Sequence, residues 1–272
     1  TFSANYKNEK LDVILGGGWN KYEGDHYGKV IWARYASQSE LGDRYYEDAA
    51  TKGDGNVFAK ANYQITEKIS LFGDLQLRNV HYKANSWETG VVNDNFNFFN
   101  PKAGLNYDIN GKNKLYFSYA KANREPNRTD YENGSPKPEK LNDFELGWRF
   151  KTDKSQLNVN GYYMRYKDQL VLTGGVDDVG SPIRQNSGDS YRLGVEVDAT
   201  LKLFKNWTIA PNFTVSSNKN VDFISDVNGT LTNLGDTNIA YSPNFIAGNM
   251  LTFSPMPAFR LSLLSKYVSE QY

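Results

Sequence analysis

Cysteine is absent from the 272-residue sequence, and long apolar runs and an excess of one charge are missing as well. Without cysteine there is no disulfide framework and no thiol nucleophile. The 31 Lys and Arg residues balance the 31 Asp and Glu residues, so the charge gives no reason to expect a nucleic-acid partner. Because no apolar run reaches about 20 residues, a membrane-spanning helix is excluded.

Residue patterns that carry catalysis or hold a cofactor are also missing. The sequence has two histidines, His26 and His81, which stand far apart without metal-ligand spacing around them. The glycine run at 16–18 has no helix pattern after it, so it does not fit a phosphate-binding loop. The Gly-x-Ser-x-Gly motif of serine hydrolases does not occur. We therefore expect no catalytic residue, no metal and no cofactor, and we predict that the protein is not an enzyme.

Alternating apolar and polar residues dominate what is present, most clearly from Leu141 to Leu172. A period of two places successive side chains on opposite faces of a β-strand. The first strand of this stretch carries Phe144, Leu146, Trp148 and Phe150 on one face and Asp143, Glu145, Gly147 and Arg149 on the other. These strands are long and aromatic, which favours the wall of an outer-membrane barrel over a soluble sandwich.

Short turns and long polar connections alternate along the whole chain. Turn-forming residues of hairpin length lie at 8–10, 66–68, 110–113, 152–155, 204–206 and 255–258. Long polar stretches lie at 21–55, 86–96, 124–140, 173–188 and 224–240. Short turns opposite long loops are typical of outer-membrane barrels. The sequence therefore predicts an all-β, antiparallel, up-and-down transmembrane β-barrel with about 12 strands present.

The polar face of these strands supplies one set of candidate functional residues. We predict that the following side chains face the lumen of the barrel: Lys60, Asp74, Arg78, Glu145, Arg149, Arg192, Glu196 and Asp198. They would hydrate the interior and contact whatever fills it. The alternative interpretation is that they only form ion pairs within the barrel wall.

The long loops supply the second set, since loops on a rigid scaffold commonly carry binding sites. Aromatic and arginine side chains cluster there, and both suit the recognition of sugars, aryl chelates or carboxylates. The candidate ligand-binding residues are Trp32, Arg34, Tyr35, Arg44, Tyr45, Arg124 and Arg128, with Trp87 nearby in the second loop. The alternative is that these loops pack on one another above the barrel mouth.

Four motifs in order carry a resemblance to a known family. PKPEKLNDFELGWRF at 136–150 resembles the Pro-Glu and Glu-Leu-Gly motif of TonB-dependent outer-membrane receptors. YFSYAKANREP at 116–126 is similar to the strand ending in Arg-x-Pro that precedes this motif in the family. NSGDSYRLGVEVDATLKL at 186–203 and KYVSEQY at 266–272 resemble later strands. The usage of Asn, Lys and Tyr resembles that of receptors from the Bacteroidetes.

The resemblance implies a barrel of about 22 strands with an N-terminal plug and a TonB box. We accordingly expect residues 1–272 to be part of such a barrel, with the plug, the TonB box and the last strands outside this sequence. The implied function is TonB-dependent uptake of a scarce nutrient across the outer membrane of a Gram-negative cell. The nutrient ligand is left open between an iron chelate, haem, cobalamin and a glycan.

The partners that follow are outer-membrane lipid, that ligand, and the TonB complex acting through the plug region. Two alternatives stay open at this point. One is a passive porin-type channel, and the other is a soluble all-β carbohydrate-binding domain.

Overall fold

The computed structural model describes residues 1–35, 38–86, 89–132, 134–176, 180, 182–227 and 230–272. Within them the elements are β1 (Phe2–Lys7), β2 (Leu11–Lys29), β3 (Arg44–Gln64), β4 (Ile69–Ser86), β5 (Gly90–Asn110), β6 (Asn113–Arg124), α1 (Arg128–Glu132), β7 (Glu139–Lys151), β8 (Ser155–Lys167), β9 (Leu170–Val176), β10 (Pro182–Asn186), β11 (Asp189–Phe204), β12 (Trp207–Asn220), β13 (Ile224–Val227), β14 (Thr230–Asn233), β15 (Thr237–Asn238), β16 (Phe245–Met256) and β17 (Phe259–Val268).

Twelve of these strands form one antiparallel sheet whose order follows the chain. The path runs β1-β2-β3-β4-β5-β6-β7-β8-β11-β12-β16-β17, and the short β15 pairs with β12 beside this path. Two further hairpins, β9–β10 and β13–β14, stand apart from the sheet. This arrangement confirms the predicted all-β, antiparallel, up-and-down architecture and the strand number.

The register of the sheet separates an apolar face from a polar face. Leu146 lies opposite Phe117 on one side and Gly161 on the other, so apolar positions of β6, β7 and β8 coincide. On the polar face Lys60 lies opposite Asp74. Leu146 is 62% exposed, together with other leucines and aromatics of the same face. Such a large exposed apolar surface requires a partner other than water.

The short turns match the sequence prediction, and four of them share one stabilising contact. At four of them the first polar side chain accepts a hydrogen bond from the backbone N–H three residues later. The donors and acceptors are Leu11 N to Asn8 Oδ1 at 2.8 Å, Ile69 N to Thr66 Oγ1 at 3.1 Å, Asn113 N to Asn110 Oδ1 at 3.1 Å and Ser155 N to Thr152 Oγ1 at 3.0 Å. Asn and Thr thus close these turns through their own side chains.

The long connections are shorter than predicted, which corrects the loop boundaries given above. β2 continues to Lys29 and β3 begins at Arg44, so most of the predicted loop 21–55 is strand. The predicted loop 86–96 likewise falls largely within β5. From 21 to 29 the backbone ladder continues although both faces carry mostly polar residues, so the period of two in hydrophobicity disappears before the strand ends.

The remaining long connections carry small elements of their own. The predicted loop 124–140 contains α1, the loop 173–188 contains much of the β9–β10 hairpin, and the loop 224–240 contains β13, β14 and β15. Val171 of β9 packs with Phe223 and Ile239 in a small buried cluster. The connection after β8 and the connection after β12 therefore contact each other at this end of the sheet.

Candidate functional site

The connection between β6 and β7 folds onto the polar face of the sheet and is anchored there by Glu125. Its carboxylate accepts hydrogen bonds from Lys52 Nζ at 2.6 Å and from Arg78 Nη1 and Nη2 at 2.8 and 2.9 Å. Arg78 also donates from Nη2 to Asp54 Oδ2 at 2.7 Å. Two cations and two carboxylates therefore form a network that joins β3, β4 and the β6–β7 connection.

Glu125 is held in its charged form by this network. Burial by itself opposes ionisation, but the hydrogen bonds from Lys52 and Arg78 outweigh it, so the pKa of Glu125 lies below its ordinary value. Only 7% of the residue is exposed. A buried carboxylate with paired donors is an anchor that depends on both partners staying in place.

Tyr131 of α1 forms the second anchor. Its ring stacks on Tyr82 of β4 with centroids 5.5 Å apart, and its hydroxyl donates to Asp94 Oδ2 at 2.7 Å. Ala84 and Val92 complete a buried cluster around the two rings. Burial and the neighbouring Asp94 raise the pKa of Tyr131, so the phenol stays neutral. The short helix α1 thus packs on the polar face of the sheet, over β4 and β5.

Two predicted ligand-binding arginines, Arg124 and Arg128, contact carboxylates of the same region. Arg124 is the last residue of β6, and its Nε donates to Glu139 at 2.5 Å. Glu139 also accepts from the backbone N–H of Leu170 at 2.6 Å. Arg128 forms ion pairs with Asp48 and with Glu132, the latter at 3.1 Å. Both arginines therefore fix the ends of the β6–β7 connection.

The other five predicted ligand-binding residues lie where β2 and β3 meet, and we call them the capture surface: Trp32, Arg34, Tyr35, Arg44 and Tyr45. Trp32 is 76% and Tyr35 84% exposed. The Arg34 guanidinium lies 5.6 Å from the centre of the Tyr35 ring. Arg44 and Tyr45 belong to β3 and not to a loop, which corrects their predicted position.

Arg44 of the capture surface contacts both an aromatic ring and a carboxylate. Its guanidinium lies 4.2 Å from the ring centre of Tyr27 and pairs with Glu47. Tyr45 and Tyr46 make an edge-to-face contact at 5.2 Å. The surface therefore combines exposed rings with guanidinium groups at the outer end of one hairpin. Trp87, which was predicted to add to it, lies outside the described residues.

The eight residues predicted to face the lumen share the polar face of the sheet. Lys60 approaches Asp74 at 3.8 Å, Asn158 Nδ2 donates to Asp198 at 2.7 Å, and Arg192 Nη1 donates to Ser242 at 2.8 Å. Arg149 stacks over Tyr116 at 4.5 Å, while Glu145 and Glu196 lie on the same side. The structure brings Arg78 into the Glu125 network but leaves the others spread along the wall.

Sequence reasoning did not single out Glu125, Lys52 or Asp54. One signal was available, because Glu125 is the middle residue of the Arg-x-Pro motif that ends β6. Lys52 and Asp54 fell within a stretch predicted as loop, so their place on the polar face of β3 was hidden. Their partners come from strands distant in sequence, and pairing of that kind is set by the sheet register.

Neither histidine has a metal-site environment. His26 Nε2 contacts the Tyr22 hydroxyl at 3.0 Å, and His81 Nε2 contacts Asn93 Oδ1 at 2.9 Å. His26, which falls in the predicted loop 21–55, lies on β2, and His81 lies on β4. In the described ranges no three or more His, Cys, Asp or Glu side chains are grouped so that they could hold a metal ion. Over the same ranges, no helix has the length and apolar character needed to cross a membrane.

Comparison with known proteins gives one family and several structural neighbours. The family model described as "TonB dependent receptor-like, beta-barrel" matches residues 1–272. A curated relative, the ferric-pyoverdine 358 receptor of Pseudomonas putida, is 23% identical over 181 residues, which is 61% of this chain and 21% of the relative. The chain thus spans about a fifth of the length of that relative.

Solved structures of low sequence identity share the fold. The ferric-catecholate import receptor Fiu from E. coli K12 superposes with a TM-score of 0.72 at 16% identity, over 99% of this chain and 43% of Fiu. The siderophore receptor PiuA from Acinetobacter baumannii superposes with a TM-score of 0.74 at 16% identity, over 99% of this chain and 45% of PiuA. The chain therefore covers less than half of either receptor.

Proposed function

The chain belongs to the β-barrel family of TonB-dependent receptors, and on this basis we propose that the protein is a receptor and transporter for energised nutrient uptake. Members of this family are receptors and transporters that lie in the outer membrane. The observation that carries the proposal is the match of the whole two-faced, twelve-strand sheet to this family. The apolar face meets lipid, and the polar face lines the path of the nutrient.

Energy coupling is part of the same proposal. The coupling to TonB would act through a plug region, and we place that region, the TonB box and the last strands outside residues 1–272. The eight polar residues described above, from Lys60 to Asp198, would line the lumen around the plug. The contacts of Lys60 with Asp74 and of Asn158 with Asp198 place charged and amide groups on this face over β3, β4, β8 and β11.

A ferric chelate is the nutrient that we propose first. The relatives named above are a ferric-pyoverdine receptor, a ferric-catecholate receptor and a siderophore receptor. The capture surface offers exposed aromatic rings beside guanidinium groups, which suit flat, anionic ligands. Arg124 and Arg128 would position the β6–β7 connection next to the path that such a ligand takes. Haem, cobalamin and glycans are the competing substrates.

An uptake assay with the full-length protein tests the energised mechanism. Cells that express the complete gene in a host lacking its own ferric-chelate receptors are given radioactive iron on a panel of chelators. We expect accumulation of at least one chelate, and we expect a protonophore to abolish it. Accumulation that persists with the protonophore would instead indicate a passive channel. A complete reading frame without a plug region would argue the same way.

Substitutions in the capture surface test the binding site itself. Trp32→Ala with Tyr35→Ala removes two exposed rings and should weaken binding of the transported chelate by about tenfold, the equivalent of about 1.4 kcal/mol. The control is Tyr241→Ala, which removes a ring that is 73% exposed in the connection after β15. Titration of the purified receptor with the chelate measures both. Equal affinities in the two variants would remove the capture surface from the proposal.

A further inference from the structure

A row of polar side chains continues the apolar face of β4 and β5 beyond its last leucine and phenylalanine. We call it the amide array; its members are Asn79, His81, Lys83, Asn93, Asn95 and Asn97, and all are exposed. On β4, Val80 and Tyr82 lie between members of the array and are buried on the opposite side of the sheet, as is Val92 beside Asn93 on β5. The array therefore points outward, away from the lumen.

Hydrogen bonds between the two strands hold the array in a fixed arrangement. Asn79 Nδ2 donates to Asn95 Oδ1 at 2.7 Å and to Asn97 Oδ1 at 2.8 Å, and His81 Nε2 contacts Asn93 Oδ1 at 2.9 Å. Each amide has two donors as well as its acceptor oxygen. The contacts from Asn79 use the oxygens of Asn95 and Asn97, so the NH₂ groups of both remain to bind another acceptor.

The exposed indole of Trp19 lies beside the array, and glycines of β3 stand between the two. Trp19 of β2 is 69% exposed, and in the register it is followed by Gly55 on β3 and then by Asn79 on β4. Gly53 occupies the next outward position on β3. Together with Gly55, Asn79 and Asn97, the indole lines a shallow groove of about 720 Å³. A flat ring faces polar groups across this groove.

We propose that the amide array and Trp19 bind the saccharide headgroup of a glycolipid in the outer leaflet. Leu77 and Asn79 are neighbouring outward positions on β4, as are Phe99 and Asn97 on β5, so lipid-facing and polar rows are about 7 Å apart. A lipid whose acyl chains lie on the apolar face has its headgroup at the height of the array. Because the array continues the lipid-facing surface, we infer that its ligand is the headgroup of a membrane lipid.

The chemistry of the array fits sugars. Amide NH₂ groups and oxygens pair with hydroxyl groups, which donate and accept hydrogen bonds. The Trp19 ring offers a flat apolar surface to the C–H face of a pyranose. Lys83 adds a positive charge at the outer end of β4, which suits a phosphate or carboxylate on the same headgroup. The inference is independent of which nutrient is transported.

Retention of lipopolysaccharide tests the proposal. The full-length protein is placed in phosphatidylethanolamine nanodiscs with rough lipopolysaccharide, and bound copies are counted by native mass spectrometry. We expect Asn95→Ala with Asn97→Ala to lower the affinity about tenfold, because at least two hydrogen bonds are lost. Trp19→Ala is a second, independent variant with the same expected direction. The matched control is Asn106→Ala, an exposed asparagine near the short-turn end of β5, on the polar face.

The deacylated core oligosaccharide separates the possible ligands. Displacement of bound lipopolysaccharide by this oligosaccharide at higher concentration supports recognition of the headgroup. Equal affinity for the free oligosaccharide and the intact glycolipid would overturn the assignment to a lipid and indicate a free glycan. Unchanged retention in the array variants, or an equal loss in Asn106→Ala, would overturn the site. Circular dichroism and heat-dependent gel mobility verify that each variant is folded.

Discussion

At two glycines of the family motifs, a tyrosine ring on the polar face lies over the Cα atom and leaves no room for a side chain. A Cβ added at Gly147 would collide with the ring of Tyr116, and one added at Gly194 would come within 2.6 Å of the Tyr162 hydroxyl oxygen. Tyr116 in this position donates to Asn160 Oδ1 at 2.9 Å. The Glu-Leu-Gly motif and the family-like stretch at 186–203 thus each provide room for a ring from the neighbouring strand.

Replacement of Gly147 tests this packing of a tyrosine ring over a glycine, which we call the interlock. Gly147→Ala must displace the Tyr116 ring and its hydrogen bond, so we expect about 1–3 kcal/mol of destabilisation in urea unfolding of the refolded barrel. Gly161→Ala is the control, since its Cβ would meet only Leu146 O at an ordinary 3.8 Å. In combination with Tyr116→Ala, the effect of Gly147→Ala should largely vanish. Additive effects in that double-mutant cycle would contradict the interlock.

Glu125 makes the docking of the β6–β7 connection dependent on pH. Its pKa is lowered in the folded protein, so the undocked segment takes up the proton first as the pH falls. The stabilisation is fully present above the ordinary glutamate pKa and is lost as the pH falls through the lowered value. We expect the protection of the backbone amides over 125–132, after correction for the intrinsic pH dependence of exchange, to fall in that acidic range and to stay constant above it.

The same exchange experiment on Glu125→Gln measures how much the charged carboxylate contributes to docking of the β6–β7 connection. The amide keeps the shape of the side chain but loses its charge, so we expect about 1–3 kcal/mol less protection of the connection at neutral pH. Its protection should also become insensitive to acid in the same range. A Gln variant that retains the acid response would show that the response does not come from Glu125.

At the scale of strands, the two faces of β7 differ in what they tolerate. Leu146→Arg places a charge on the lipid-facing side and should cost about 2–4 kcal/mol if it lies near the membrane midplane. Glu145→Arg, one residue away on the polar face, should cost much less because water reaches that side. Urea unfolding in lipid vesicles measures both. Equal losses would mean that the faces are assigned wrongly.

The strands also show what the sequence could and could not reveal. The period of two held wherever one face met lipid, so β7, β8 and all six short turns were predictable from residues such as Asn110 and Thr152. It failed from Lys21 to Lys29, because there both faces meet water and no hydrophobic contrast marks the strand. The Glu125 network could not be predicted from the sequence, because its members come from β3, β4 and the β6–β7 connection and are brought together only by the sheet register.

For the whole molecule, the exposed apolar face predicts a requirement for an amphiphile. The surface around Leu146, Phe117 and Leu77 has no covering element in the described part of the chain. We expect the full-length protein to sediment as a monomer in detergent micelles and to aggregate when the detergent is removed. A stable, folded monomer in plain buffer would favour the soluble β-domain that the sequence left open.

The sheet order has a consequence for how the barrel is made. Each main strand pairs with its nearest predecessor in the sheet, and at seven junctions at most four residues intervene. Closing such a pair costs little chain entropy, whereas pairing strands from distant parts of the sequence would cost more. A slip of one residue at any junction would exchange lipid-facing and lumen-facing side chains along a whole strand. The wall can therefore form one hairpin at a time. The free edge strand of each finished hairpin then sets the register of the strand that pairs with it.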